Sequence, residues 1–471
     1  MKRLWLLALV GCNDLLGLVK TAPIGDEGRV TGVYLLRSIE NQPDGTPVVM
    51  TGPYARGALE VDVELDDGTS RDVTLADDGS FSFTTATIAQ RYSLTFRSRY
   101  SSRTYQHDAA NLTLVERVAG RADRQLVPTN TFIDYALTNR PVSTTAIEEI
   151  QSTGIWARVG VTGLLGPNVD WAKAVTQTEP LGMLDAARND VAYYVQYDVQ
   201  GTYYRPMWSA RASVTLQGGQ TTTVTATAAP VAVDMCTRLQ WDAPRELERI
   251  TSSIDDEVNT TAVWNIVATP SDDLATTAKL PLALSNGGVL TAVDDMVSYG
   301  NPYSVGTRRA ELSAIVSRNT AQWISLAVTT PVEADCTTPT ILPVGEIQYA
   351  LSMQVADSVL DSADQIVAID RSAPVRVTWQ ASATGRADDA SLVLYEVVPT
   401  PGGLFVMTLK AIVYTTAAEA TLDPALLESG HKYALIVTLR GGLPGASIGD
   451  YDQLSTTLLA GGLHSLPFRV Q

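Results

Sequence analysis

Few residues of this 471-residue chain have the type and spacing that covalent catalysis needs. One short motif, Gly445-Ala-Ser447-Ile-Gly449, matches the G-x-S-x-G pattern of a nucleophilic serine. That pattern requires a strand before the serine and a helix after it, whereas a Pro-Gly turn precedes this serine and no helical apolar stripe follows it. His464 is the nearest base in sequence, and no orienting acid is evident beside it. We therefore expect Ser447 to be inert and the protein to be no enzyme.

The remaining histidines and the paired acids do not predict a metal centre. The chain has three histidines, and none is spaced as a zinc ligand with a cysteine or another histidine. Acidic pairs such as Asp66-Asp67 and Asp77-Asp78 lie beside glycine, where aspartate is favoured because it bonds the local backbone. None follows the spacing of a calcium loop, although the sequence leaves calcium binding by these turns open. We predict no cofactor and no metal ligand.

An aromatic cluster is the best lead to a binding face. Strand alternation sends Tyr193 and Tyr197 into the core, while Tyr194 points to the opposite face. The candidate binding residues are Tyr194, Tyr203, Tyr204 and Trp208. Exposed aromatic rings can stack on sugars or dock a protein, and the alternative is ordinary packing against a neighbouring domain.

Composition indicates a β-rich, multidomain chain that does not bind nucleic acid. The formal net charge is −17, and no cluster of Lys and Arg suited to a phosphate backbone is present. Charged residues make up only 18% of the chain, while Thr, Ser, Gly and Val are abundant, which favours strands over helices. At roughly 100–150 residues per domain, the length suggests three to five domains.

The N-terminus has the residue order expected of an export signal. Lys2 and Arg3 precede a short apolar run that ends in Leu9-Val10-Gly11-Cys12. This order resembles the lipobox of bacterial lipoproteins. The resemblance implies that residues 1–11 are a signal peptide, that lipid is attached to Cys12, and that residues 12–28 form a tether. It also implies a membrane-anchored protein of the bacterial cell envelope that faces the periplasm or the cell surface, with the choice of membrane left open.

The other two cysteines fit an oxidising compartment. After Cys12, only Cys236 and Cys336 remain, and an even remainder predicts one disulfide. The alternative is a pair of buried free thiols.

Strand patterns divide the mature chain into tandem β-sandwich domains of the immunoglobulin or fibronectin kind. Alternating residues between 59 and 97, broken by Asp-Gly turns, predict hairpins with one buried face. The expected domains span 29–130, 131–230, 231–340 and 341–471, and the disulfide would close the third. Short helices are expected only near 144–151 and 242–250, where capping residues precede acidic or apolar runs.

The last domain contains two further motifs. Val375-x-Val377-x-Trp379 has the alternation of an inward strand, and a turn leads from Pro424 through Gly430 to Tyr433 and a second apolar strand. These motifs resemble a fibronectin type III domain. The resemblance makes Tyr433 the corner tyrosine, whose hydroxyl bonds backbone upstream, and implies no activity. The long Gly-rich stretch 441–459 departs from the family's last hairpin.

Three functions remain open on this evidence. The favoured hypothesis is a non-catalytic, lipid-anchored envelope protein that displays β-sandwiches for adhesion or assembly. The second is a carbohydrate-binding or substrate-capture lipoprotein, which needs an exposed aromatic platform. The third is an envelope hydrolase, which needs acids or a Ser–His pair converging in one cleft. The partners expected are therefore the membrane, through the lipid, and an envelope protein or carbohydrate.

Overall fold

A computed structural model describes residues 28–54, 60–97, 102–123, 125–140, 146–162, 166, 168–173, 182–241, 245, 248, 250–252, 258–272, 279–288, 293–303, 306–318, 322–332, 335–399 and 405–471. The signal peptide, Cys12 and the tether up to residue 27 lie outside the described residues. The described chain is built from 34 strands and a few short 3₁₀ turns, which confirms the all-β tandem-sandwich fold. Within it, no helix combines the length and apolar character needed to cross a membrane.

The strands form four units in chain order. Unit 1 contains β1 (Gly28–Asn41), β2 (Pro47–Pro53), β3 (Glu60–Leu65), β4 (Ser70–Arg71), β5 (Thr74–Leu75), β6 (Ser80–Thr85), β7 (Tyr92–Arg97), β8 (Ser102–His107) and β9 (Asn111–Arg117). Unit 2 contains β10 (Phe132–Thr138), β11 (Ile147–Ser152), β12 (Ala157–Thr162), β13 (Val169–Asp170), β14 (Val191–Gln200), β15 (Tyr203–Ser213), β16 (Thr221–Thr227) and β17 (Ala229–Pro230). Unit 3 contains β18 (Met235–Trp241), β19 (Val258–Thr269), β20 (Leu280–Ser285), β21 (Val293–Tyr299), β22 (Thr307–Arg318), β23 (Trp323–Pro331) and β24 (Pro339–Ile341). Unit 4 contains β25 (Ala350–Val355), β26 (Ser358–Val359), β27 (Gln365–Val367), β28 (Val375–Ala381), β29 (Asp389–Pro399), β30 (Phe405–Thr415), β31 (Glu419–Leu422), β32 (Lys432–Gly441), β33 (Leu458–His464) and β34 (Phe468–Val470).

Each unit is a sandwich of a four-stranded main sheet and a second sheet of three to five strands. The main sheets run β4-β3-β7-β8, β12-β11-β14-β15, β20-β19-β22-β23 and β30-β29-β32-β33. In units 1 to 3 a late strand returns to pair in parallel with the first strand, as β9 with β1, β16 with β10 and β24 with β18. The first three units therefore share a topology, although their sequences do not align as repeats.

The main sheets join edge to edge, so the four units are not structurally separate domains. Strand β15 pairs with β20, β23 pairs with β33, and β30 pairs in parallel with β8. These contacts merge the four main sheets into one 19-stranded sheet whose spatial order is unit 2, unit 3, unit 4 and unit 1. Backbone hydrogen bonds across each junction hold neighbouring units in a fixed register.

The predicted hairpins of unit 1 are present. Strand β3 buries Val63 and Leu65 and turns at Asp66-Asp67-Gly68 to meet β4. Gly68 has a φ of +79°, and the Asp67 carboxylate accepts a hydrogen bond of 2.8 Å from the Thr69 amide. The turn therefore uses glycine for its left-handed backbone and aspartate for its local hydrogen bond.

One of the two predicted helices is wrong. Residues 147–152 form β11, an inner strand between β12 and β14. Glu148 and Glu149, expected in a first helical turn, are buried and paired with Arg140 and Arg158. Pairing with β14 and ion pairs with flanking arginines thus replaced the helix-end interactions that the local sequence favoured. Of the second predicted helix, residues 245, 248 and 250 are helical, and the others lie outside the described residues.

The long Gly-rich stretch of unit 4 packs into unit 1. Between β32 and β33 the chain leaves its own sandwich, and Leu443, Ala446 and Tyr451 become part of the unit 1 core. The Thr113 amide donates to the Gly449 carbonyl, and the Tyr451 amide donates to the Thr113 carbonyl, each at 2.9 Å. This excursion, residues 442–457, therefore forms a second contact between units 1 and 4 beside the β8–β30 junction.

Candidate functional site

A polar groove of about 860 Å³ lies between units 1 and 4. Its floor is the outer face of β3, β7 and β8, because alternation turns Leu94, Phe96 and Tyr105 into the unit 1 core and leaves polar residues outside. Asp62 lies opposite Thr95, which in turn lies opposite Thr104, so one polar row crosses three strands. The two threonine hydroxyls are 2.9 Å apart and hydrogen-bonded.

Unit 4 supplies the opposite wall through residues 372–374, just before β28, and the segment around β31. At the base of the groove, the buried Gln106 amide donates to the Thr421 carbonyl at 3.0 Å and accepts from the Thr421 amide at 3.1 Å. At the rim, Arg97 forms an ion pair with Asp62 and reaches Asp423 of unit 4 at 3.7 Å. Contacts between side chains of the two units therefore set the width of the groove.

The groove has the chemistry of a binding surface. Its volume falls within the range of roughly 300–1,000 Å³ usual for ligand pockets. Hydroxyl, carboxylate, amide and guanidinium groups line it, and no aromatic ring or histidine is among its described lining residues. The floor is a fixed sheet face, so its polar groups are held in place before a ligand arrives.

The predicted aromatic platform does not form. Tyr194 is 1% exposed, and its hydroxyl donates to Glu148 at 2.6 Å within the unit 2 core. Burial, together with that hydrogen bond to Glu148, raises the pKa of Tyr194. Tyr194 therefore contributes to no exposed surface, because the main sheet of unit 2 is covered at β14 on both of its faces.

The other three rings divide between two cores. Tyr203 is half-buried with its ring 5.9 Å from Trp264, and its hydroxyl bonds backbone atoms of Ser298. Tyr204 packs beside Tyr203 against the core that unit 2 shares with units 3 and 4, whereas Trp208 packs against the unit 2 core. Two of the four residues thus pack at the contact with neighbouring units, and Tyr194 and Trp208 pack within their own unit.

Ser447 is exposed in the 3₁₀ turn Ala446–Ile448. The nearby His107 is buried, with Nε2 2.8 Å from the Ala446 carbonyl, and its Nδ1 accepts from the Asp108 and Ala109 amides. Both ring nitrogens of His107 are thus committed to the backbone, and neither is placed to take a proton from Ser447.

Sequence reasoning missed one Ser–His pair. Ser325 Oγ lies 3.0 Å from His464 Nε2 where β23 meets β33, and the His464 ring stacks on Trp323. Burial lowers the pKa of His464 to about 4. Among the described residues no carboxylate bonds His464, and the backbone beside Ser325 is engaged by β22 and β33, so an orienting acid and oxyanion donors are both missing from this pair. The sequence carries no signal for this pair, because the two residues are 139 positions apart and meet only where units 3 and 4 join.

The cysteine pair and the acidic turns contribute to the structure of the chain. A disulfide joins Cys236 on β18 to Cys336 just before β24, with the Cα atoms 5.4 Å apart, and thereby fastens two parallel strands of unit 3. In the turns, hydrogen bonds from Thr69 and Ser80 lower the pKa of Asp67 and of Asp78. Within the described ranges, no three His, Cys, Asp or Glu side chains are grouped to hold a metal ion.

The fold defines a class, a tandem β-sandwich protein, and the groove lies between two of its units. No family model matches the chain. No curated protein matches it either. Among solved structures, a tetra-tandem repeat from the extending region of a large adhesion protein aligns over 92% of this chain and 99% of its own, at 11% identity. Its TM-score of 0.11 is too low for that alignment to carry an argument.

Proposed function

We propose that this protein is a lipid-anchored component of the bacterial cell envelope that uses the groove between units 1 and 4 for adhesion or assembly, without catalysing a reaction. The observation that carries the proposal is the groove itself, whose polar floor and opposite wall come from different units. The lipobox-like sequence ending at Cys12 supports the anchor. The partner is an envelope protein or a carbohydrate.

The joined main sheets make such a groove useful for binding. Five residue pairs join β8 to β30, and the 442–457 excursion adds a second link between the same units. Units fixed in this way do not lose interdomain freedom when a partner binds, and preorganisation raises affinity by removing that cost.

We further propose that unit 4 is a fibronectin type III-like domain. The Tyr433 hydroxyl accepts a 2.8 Å hydrogen bond from the Glu428 amide, five residues upstream. Strands β25, β28 and β31 form one layer, and β30, β29, β32 and β33 form the other. Both features support the resemblance, and domains of this kind serve mostly as spacers or binding modules.

Displaying the full chain on bacteria tests the proposed role. Cells would be scored for retention on immobilised glycans and on immobilised envelope proteins, against cells without the chain. Thr95→Trp places an indole in the centre of the groove floor and should abolish retention. Thr225→Trp, on the exposed face of β16, is the matched control and should retain cells like the wild type.

Two results would count against the proposal. If no surface retains more wild-type cells than control cells, the adhesive role is wrong, and if Thr95→Trp binds like the wild type, the groove is not the site. Anchoring is tested separately by detergent partitioning of wild type and Cys12→Ala. Equal aqueous partitioning, with Cys12 unmodified by mass spectrometry, would refute the lipid anchor alone.

A further inference from the structure

A second cavity, of about 250 Å³, lies between units 2 and 3 and shares no lining residue with the groove. Its floor is the outer face of the unit 3 main sheet, where Asn265, Glu311 and Thr329 occupy one row across β19, β22 and β23. Trp156 and Arg158, at the start of β12 in unit 2, line it from the other side. The cavity exists only because the two units pack together.

Trp156 combines two unfavourable features at the wall of this cavity. Its φ is +47°, a left-handed conformation that bulky residues rarely adopt. Its side chain is buried, 2% exposed, and its indole N–H has no hydrogen-bond partner among the described residues. Backbone strain and a buried unpaired donor both cost stability, and strained residues of this kind cluster at functional sites.

The charged side chains around the cavity form ion pairs with other residues of the protein. Arg158 donates to Glu149 at 2.9 Å, and Lys279 forms an ion pair with Glu311. Burial alone would lower the pKa of Arg158, but the nearby Glu149 carboxylate holds it above its usual value. A charged ligand would have to displace one of these partners, whereas a neutral one would not.

Uncharged polar groups remain for a ligand. The Asn265 amide and the Ser313 hydroxyl line the cavity, and neither side chain has a partner within the described chain. Ser313 is exposed and marks the open side. Apolar lining atoms of Pro281 and Leu284, with the Trp156 ring, complete a surface that is part apolar and part hydrogen-bonding.

We propose that this cavity binds a small, neutral, polyhydroxylated ligand of monosaccharide size. Its hydroxyl groups would hydrogen-bond the Asn265 amide and the Ser313 hydroxyl, and its C–H faces would lie on the apolar wall. The volume is below the range usual for drug-sized ligands, so a single sugar ring fits better than a chain. This site is independent of adhesion through the groove.

Saturation-transfer NMR and calorimetry on the full chain test this site, with glucose, galactose and N-acetylglucosamine as neutral probes and glucuronate as the charged comparison. At least one neutral sugar should bind, and glucuronate should bind more weakly. Asn265→Ala should weaken binding about fivefold, the loss expected for one hydrogen bond. Asn286→Ala, at an exposed turn of the same unit, should leave affinity unchanged.

Ser313→Val is the second variant. It changes an exposed strand position that tolerates a β-branched residue, so it tests the site even if Asn265→Ala does not fold. It should also weaken binding. The proposal is overturned if no neutral sugar gives transfer from the folded wild-type protein, if glucuronate binds more tightly than the neutral sugars, or if Ser313→Val and a folded Asn265→Ala both bind like Asn286→Ala. None of these outcomes bears on the groove, which Thr95→Trp tests in other units.

Discussion

Two adjacent glycines of β33 should respond very differently to the same substitution. A Cβ built on Gly461 would lie 2.2 Å from the Gln348 carbonyl oxygen and 2.9 Å from the Tyr349 Cα, both backbone atoms. Strand β33 is paired with β23 on one side and β32 on the other, so it cannot move sideways to relieve this contact. Gly461→Ala should therefore destabilise the junction between units 3 and 4.

Gly462 is the matched comparison. A Cβ there would meet the Ser325 hydroxyl at 2.7 Å, and a hydroxyl can rotate away. That movement costs roughly 1 kcal/mol if the hydrogen bond to His464 is lost. About 0.4–1 kcal/mol is recovered because alanine restricts the unfolded chain. Gly462→Ala should thus be close to neutral.

The expected difference between the two variants follows from these terms. Forcing a methyl group against backbone typically costs about 1–3 kcal/mol, and a 2.2 Å approach to a carbonyl oxygen lies at the upper end of that range. The gain in the unfolded chain is common to both variants, so Gly461→Ala should be less stable than Gly462→Ala by about 2 kcal/mol. At an unfolding entropy of about 2.1 cal/mol/K per residue, this corresponds to a Tm lower by about 2 °C.

Thermal unfolding followed by circular dichroism measures this difference in a single experiment. Both variants carry the same new methyl group in the same strand, so changes in strand propensity cancel between them. Equal melting temperatures, within about 1 °C, would show that the close approach of β33 to the Gln348–Tyr349 backbone is not rigid.

Non-reducing peptide mapping of envelope-purified protein should recover Cys236 linked to Cys336, and Cys236→Ser should lower stability by about 4–5 kcal/mol for a loop of this length; free thiols at both positions would refute the pairing. A fluorophosphonate probe should leave Ser447 unlabelled, and labelling that is lost in Ser447→Ala but kept in a distant serine variant would promote the hydrolase hypothesis. Because burial lowers the pKa of His464 to about 4, below its unfolded value of about 6.5, the stability tied to its neutral form is present above pH 6.5 and lost as the pH falls towards 4. The loss should reach at most about 3 kcal/mol in urea titrations, and an unchanged profile in His464→Gln would contradict this.

Local patterns in the sequence were sufficient to predict the strands. In unit 1 the alternation of Val63 and Leu65 with acidic residues predicts which face is buried, and the Asp-Gly turns predict the hairpins. Both signals act over two to six residues, the range over which backbone and side-chain preferences operate. The all-β fold follows from many such signals in succession.

The failures arise where tertiary contacts decide the local structure. Residues 147–152 carry a helix-like pattern of acids, yet they pair with β14, 40 to 50 residues later in the chain, and Arg140 and Arg158 neutralise Glu148 and Glu149 in the buried sheet. Similarly, Tyr194 faces away from the core shared by units 3 and 4, as alternation predicts, but a second core lies on that side. Whether a sheet face meets water or a second layer depends on the fold, and alternation alone does not distinguish these cases.

The groove and the cavity were beyond prediction for the same reason. Ser102 pairs with Ala411, more than 300 residues away, through backbone hydrogen bonds that leave no mark on side-chain sequence. Edge-to-edge pairing of sheets has no motif, so the order of the units in space differs from their order in the chain. Both concave sites lie where units meet, and therefore depend on that order.

Joining the main sheets also controls where unpaired edges are exposed. Four separate sheets of this kind would present eight edge strands, and the three junctions cover six of them. Of the main-sheet strands, β12 and β4 remain as edges among the described residues, at the two ends of the joined sheet. The short strands β17 and β27, which pair only with β15 and β34, are further edges of the joined sheet. Strand β4 is only two residues long, and short edge strands are one way in which β proteins avoid pairing with other chains. The contacts that join the units thus also cover most of the main-sheet edges through which a strand-rich protein of low charge content could pair with other chains.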